Sequence, residues 1–264
     1  MQTVPGYIDS MTDFYVTDAG LGITETTIAG FVGYDVHGMP EFIRARKATQ
    51  YANNIDQWVK LVNEGNNGGY ANIWLLCNIN TGEIARFEQG LKHQELLEST
   101  DGFYYGCNAC HNPRIRNLEC VDNGYNDTRQ QTGARRARFE ELLPEVSGTI
   151  DDGVAKRILA DKYDPYLGYQ CASSRNICAH YDVDPQYYAD DPHGVWNVPF
   201  FPGGSCDGKC ADATDIENLN MWGIFGRADG EPFDAKDFMK QHPEWNWQKG
   251  YLYDRPSQPW TLFD

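Results

Sequence analysis

The chain has 264 residues, with 22 basic against 38 acidic side chains and a formal charge of −16. That charge repels phosphate backbones over the whole surface and argues against nucleic-acid binding. Seven Trp, 16 Tyr and 12 Phe are too many rings for a disordered acidic chain, and no apolar run reaches the 18 residues a spanning helix needs.

Met1 is followed by Gln2-Thr3-Val4-Pro5-Gly6, with neither a basic n-region nor an apolar h-region, so no signal peptide is read and the compartment stays open. Asp13 to Ile28 reads as two strands around a tight Asp18-Ala-Gly20 turn: Phe14 and Val16 alternate, and Ile23, Thr24, Thr26, Thr27 and Ile28 are β-branched. Pro40 to Tyr51 is expected to be helical, with Phe42, Ala45 and Thr49 on its inner face. A second helix over 55–63 is capped by Asn54, carries Ile55, Trp58, Val59 and Val62 at helical spacing, and ends at Gly65.

Tyr70 to Cys77 is an apolar run of strand length, turned by Asn80-Thr-Gly82 into Glu83 to Glu88 as a hairpin. Phe103 to Asn108 is expected as a further short strand. Helices are expected from Ala134 to Leu143, stopped by Pro144, and from Asp152 to Tyr163, with Val154, Ile158 and Leu159 on one face. Residues 164–264 are rich in Pro, Gly, Tyr and Asp and read as irregular wrapping with one or two embedded elements. Hairpins segregated from helix pairs indicate an α+β fold, read as a single domain over 1–264.

Of the eight cysteines, Cys171, Cys178, Cys206 and Cys210 lie in a loop-rich setting that suits disulfides as well as buried thiols. Cys107-x2-Cys110 has the spacing of half a zinc site, but His111 is the only histidine nearby. The six histidines are dispersed without ligand-like spacing. No phosphate loop, HExxH, EF-hand loop or GxSxG elbow is present.

Four ordered segments carry a resemblance. They are Pro5-Gly-Tyr-Ile-Asp-Ser-Met-Thr-Asp-Phe-Tyr-Val16 running into Gly20 to Ile28; Glu64-Gly-Asn-Asn-Gly-Gly-Tyr-Ala-Asn-Ile-Trp74; Tyr105-Gly-Cys-Asn108 followed by Thr132-Gly-Ala-Arg-Arg-Ala-Arg138; and Ser174-Arg-Asn-Ile-Cys178 followed by Gly203-Gly-Ser-Cys-Asp-Gly-Lys209. Together they resemble the phospholipase B-like N-terminal-nucleophile hydrolases and the related acyl-CoA:6-aminopenicillanic acid acyltransferase-like peptidases. The resemblance implies an αββα sandwich, incomplete at the N-terminus. It also implies a thiol nucleophile whose own α-amine takes its proton, chemistry that suits an amine titrating near 8.

In such enzymes the nucleophile precedes the Pro-Gly segment, whereas here Pro5 stands four residues after Met1. The resemblance therefore implies the C-terminal portion of a hydrolase or acyltransferase acting on amide, thioester or ester bonds. Such a portion is expected to be inactive as an isolated chain, with a missing segment or companion chain supplying the thiol. The implied helpers are Thr27, Asn108 as oxyanion donor, and Arg135 beside the thiolate, with Arg136 as its register alternative. Asn72 and Trp74 on a central strand, and Asp207 and Lys209, stand in a second rank, where structural roles compete with chemistry. A small acylated substrate is implied; no metal or organic cofactor is. Two other readings are a non-catalytic binding protein on the same scaffold and a phospholipase B-like lipid hydrolase.

Overall fold

A computed structural model describes residues 13–121, 124–178 and 208–264. These form two compact units, one over residues 13–121, 124–125, 211–221 and 263–264, the other over 126–178, 208–210 and 222–262. The fold mixes helices with antiparallel sheets, in agreement with the α+β expectation.

The first unit is built on a five-stranded antiparallel sheet in simple sequence order: β1 (Phe14–Val16), β2 (Leu21–Thr27), β3 (Asn72–Asn78), β4 (Glu83–Gln89) and β5 (Gln94–Ser99). Pairing sets Ile23 opposite Leu76 and Trp74 opposite Phe87, so Leu21, Ile23, Trp74, Leu76, Ala85 and Phe87 share one face. Helices α1 (Glu41–Tyr51) and α2 (Ile55–Asn63) cover that face through Ala45, Ala48, Ile55, Trp58 and Val62. Trp58 meets Trp74 edge-on, with ring centroids 4.8 Å apart.

Asn54 caps α2 as expected, its Oδ1 accepting from the Gln57 N–H at 2.9 Å. Asn54→Ala is expected to lower stability by about 1 kcal/mol in urea unfolding, whereas Asn54→Ser holds most of it. α1 turns inward a face rotated from the one the sequence suggested: Ala45 is buried and Thr49 accepts from Trp58 Nε1 at 3.2 Å, as expected, but Glu41, Arg44 and Ala48 are buried beside them and Phe42 is outward. Arg44 explains the rotation. Its guanidinium is buried because it donates to the Met39 carbonyl at 3.0 Å, to Gln89 Oε1 at 3.1 Å and to the Val62 carbonyl, tying α1 to α2 and to the end of β4.

The opposite sheet face carries a smaller core of Ile28, Ala71, Ile73, Cys110 and Ile115, the last from α3 (Pro113–Leu118). Residues 103–108, expected as a strand, form none; they cross this face as irregular chain. A Cβ at Gly106 would stand 2.6 Å from Thr26 Cγ2, so only glycine lets the backbone lie so close to β2. Two buried carboxylates hold the loops here. Glu88 on β4 accepts from the Asn112 N–H at 2.6 Å, the His111 N–H at 3.1 Å and the Cys110 thiol at 3.1 Å. Glu119 accepts from the N–H groups of Leu91, Lys92 and His93 at 2.8–2.9 Å. On the same face Gly22 leaves room for Ile216 of α6 (Ala213–Glu217), a helix closed by an Asp212–Asp215 capping box.

The second unit contains α4 (Gln131–Glu145), α5 (Asp152–Leu159) and the short β6 (Tyr163–Asp164) and β7 (Tyr169–Gln170) hairpin. Pro144 lies inside the last turn of α4 and does not stop it, and α5 ends at Leu159, four residues earlier than expected. The region read as irregular holds β8 (Gly208–Cys210) paired antiparallel with β9 (Met221–Ile224), followed by α7 (Ala235–Gln241), a 3-10 turn and β10 (Thr261–Phe263). Asp164 and Arg175 form an ion pair fully closed to solvent.

Candidate functional site

Thr27 is the last residue of β2, on the helix-covered face, directly opposite Asn72. The next strand position of the same parity is Glu25, so a carboxyl stands where Leu21 and Ile23 would predict another apolar side chain. Tyr70 enters from the turn before β3 with a left-handed backbone, φ +61°, which a bulky residue rarely adopts. Its hydroxyl donates to Glu25 Oε1 at 3.0 Å and also reaches the Thr27 side chain. The Asn72 amide, oriented by its hydrogen bonds, donates to Glu25 Oε2 at 2.7 Å and to the Ala71 carbonyl at 3.2 Å.

Two more acids close the cluster. Asp13, just before β1, hydrogen-bonds the Glu25 carboxyl, and its carbonyl accepts from the Glu25 N–H at 3.1 Å and the Thr24 hydroxyl at 2.7 Å. Glu41 of α1 lies within electrostatic reach. Burial first, then Asp13, pushes Glu25 up to about 8, while the Tyr70 hydroxyl pulls the other way. Burial likewise pushes Glu41 up to about 7, against the pull of Arg44.

Asn108 reaches the end of β2 from the opposite face. Its backbone N–H donates to Thr26 Oγ1 at 3.1 Å, its Nδ2 donates to the Thr27 carbonyl at 2.7 Å, and its own carbonyl accepts from the Ala29 N–H at 3.0 Å. A left-handed backbone at Asn108, φ +64°, makes this three-way attachment geometrically feasible and suits asparagine. Thr27 and Asn108, far apart in sequence, are thus joined in space through the Thr27 carbonyl.

Arg135 belongs to the second unit, one turn into α4. It donates to the Gln131 carbonyl and to Gln131 Oε1, both at 3.2 Å. Arg136 pairs with Glu140 one turn on. Arg138, which the sequence reading passed over, makes the strongest anchor of the run: it bonds Asp161 at 2.6 Å and Glu141 at 3.0 Å, and stacks over the Tyr163 ring. Trp74 sits in the first unit's core against Trp58. Lys209 is the middle residue of β8, opposite Gly223, and Asp207 lies outside the described residues.

The thiols give a clear chemical result. Burial pushes the pKa of Cys77, Cys110, Cys120 and Cys171 above the ordinary thiol range, Cys120 to about 11. At Cys110 the adjoining Glu88 carboxylate adds to the effect. None of these four is an activated nucleophile. Sequence reading missed the Glu25–Tyr70–Asp13 cluster. The signal was present as an acid at inward parity in a β-branched strand.

No helix among the described residues is long and apolar enough to cross a membrane. Over 249 residues, 84% of its length, the chain is 25% identical to Phospholipase B-like 1 of Homo sapiens, of which this alignment covers 42%. It is 38% identical over 78 residues to Phospholipase B-like protein G of Dictyostelium discoideum, and 30% identical over 80 residues to Phospholipase B-like 1 of Bos taurus. These shorter alignments cover 13% and 15% of the relatives, so the chain spans less than half the length of each. Its residues 1–97, which include β1 to β4, Glu25, Thr27 and Asn72, match the family model described as Phospholipase B.

Proposed function

We propose that the chain supplies polar helpers to an acyl-transfer site acting on the amide, thioester or ester bond of a small acylated substrate. The observation that carries this reading is the junction at the end of β2. There Asn108 is fastened to Thr27 across 81 residues of sequence, beside a Tyr70 hydroxyl that reaches the Thr27 side chain. The similarity of residues 1–97 to the Phospholipase B family model supports it. On this reading the helix-covered sheet is one half of an αββα sandwich, and Thr27 and Asn108 serve a thiol that Cys77, Cys110, Cys120 and Cys171 do not provide. The isolated chain then releases no acyl group.

A second reading, a lipid hydrolase, draws on the names of the similar proteins. Ligand binding separates the two without needing a nucleophile. Calorimetry is run on the chain with a soluble N-acyl amide and with an ether-linked phosphatidylcholine, which has lipid shape without a scissile ester. Binding of the amide alone supports the first reading, and binding of the ether lipid supports the second. Failure of both ligands to bind overturns both and leaves a non-catalytic scaffold. Thr27→Val, close to isosteric, is expected to weaken binding by about tenfold, the worth of one hydrogen bond.

A further inference from the structure

We propose that Asp13 and Glu25 share one proton, and that this pair, acting through Tyr70, makes the end of β2 an acid-favoured switch that positions Thr27. Its significance for Thr27 rests on the acyl-transfer reading, whereas the proton itself does not.

The geometry asks for that proton. Two hydrogen bonds to its own carbonyl fix Asp13 as the cross-strand neighbour of Glu25, so the backbone brings the two carboxyls to close quarters. Carboxyls that hydrogen-bond each other need one hydrogen between them, and two ionised groups at that distance repel strongly. Glu25 already accepts from Tyr70 on Oε1 and from Asn72 on Oε2, so the shared proton is the remaining means of joining it to Asp13. The groups facing Glu25 are Asp13 from the segment before β1, Tyr70 and Asn72 from the turn and strand β3, and Glu41 from α1. Arg44, the cation that faces Glu41, is occupied by the Met39 and Val62 carbonyls and by Gln89. Loss of the proton therefore places negative charge against negative charge and drives the Glu25 carboxyl away from Asp13, and the Tyr70 hydroxyl, which holds an ionised Glu25 more tightly than a neutral one, is carried with it away from Thr27.

The sign follows directly. A carboxyl whose folded pKa is raised contributes stability that is complete below its unfolded value, near 4.5, and is lost as pH rises through the folded value, about 8 for Glu25. Glu41, raised to about 7, acts in the same direction. Near pH 6 folding should then take up about two protons, and Glu25→Gln should reduce this to about one.

The test is a pH titration, from 4 to 9, of the full chain carrying carboxyl-13C glutamate, followed by NMR with urea unfolding at each pH. Two glutamates are expected to titrate above the usual carboxylate range; the higher of them should vanish in Glu25→Gln and move higher still in Tyr70→Phe, because the hydroxyl lowers it. The Tyr70 ring signals should follow the same midpoint. A Glu25 carboxyl titrating in the ordinary range, a Tyr70 signal indifferent to it, or an unchanged proton uptake in Glu25→Gln each overturns the proposal. Should Glu25→Gln not fold, the wild-type and Tyr70→Phe titrations decide. Failure of acyl binding would leave these titrations intact, so the two readings fall separately.

Discussion

Asp164→Ala is expected to destabilise the second unit by about 3–5 kcal/mol, because it leaves the Arg175 guanidinium charged and buried. Neither side chain of the pair is exposed to solvent. Asp164 Oδ2 accepts from Arg175 Nη2 at 2.7 Å, Arg175 Nε at 3.0 Å and the Ser173 hydroxyl at 2.6 Å, while Oδ1 accepts from the N–H groups of Tyr166 and Leu167. The carboxylate thus holds both the guanidinium and the β6–β7 turn. Burial alone would raise its pKa, but the bonds from Arg175, Ser173 and Leu167 prevail and lower it. Its contribution is accordingly present above the unfolded value, near 3.8, and lost as pH falls through the folded one. Hydrogen exchange over residues 163–178 measures the loss. The double variant Asp164→Leu/Arg175→Met should cost less than either single one, since no charge is then stranded; a cost equal to the sum of the singles would refute the pairing argument.

Glu88→Ala should cost about 3 kcal/mol in the first unit, from stranding the His111 and Asn112 N–H groups and the Cys110 thiol together. A second readout is chemical. With the carboxylate gone and the loop loosened, Cys110 should become alkylated by iodoacetamide where the wild-type thiol, buried and proton-bound, resists. If Cys110 reacts equally in both proteins, Glu88 does not clamp this loop. The consequence reaches Asn108, which leaves the same loop to meet the end of β2, so Glu88→Ala should also raise exchange at the Asn108 amide.

The parts of the fold legible in the sequence are those where one physical signal dominated. The β-branched alternation of β2, the Asn-Thr-Gly turn between β3 and β4, and the capped apolar stripe of α2 all lie where they were expected. β5 was not seen, because Gln94-Glu-Leu-Leu-Glu-Ser99 has neither alternation nor branched residues; its conformation comes from pairing with β4. The aromatic run over 103–108 was misleading for the converse reason. Its rings suit a strand, but it enters no ladder; the Thr26 hydroxyl holds Asn108 at its end, and Glu88 holds the residues just beyond.

At the candidate site, Thr27 and Asn108 were singled out by resemblance and meet at one carbonyl. Nothing in their local sequence foretold that bond, which depends on the backbone turn at Asn108 and on the bare face of Gly106. Glu25 was legible in principle from its parity with Leu21 and Ile23. It went unread because an acid in a threonine-rich strand passes for a solvent-facing one. Asp13 and Tyr70 were beyond sequence reading, since only the tertiary approach of three separate segments makes their carboxyl and hydroxyl neighbours of Glu25.

The strand order of the first unit bears on how the chain acquires its shape. Every ladder joins strands that are consecutive in sequence, and α1 and α2 occupy the widest interval between partners. Such local wiring favours rapid acquisition of structure, so during synthesis the sheet is expected to assemble behind the ribosome while the region around Arg175 is still being translated.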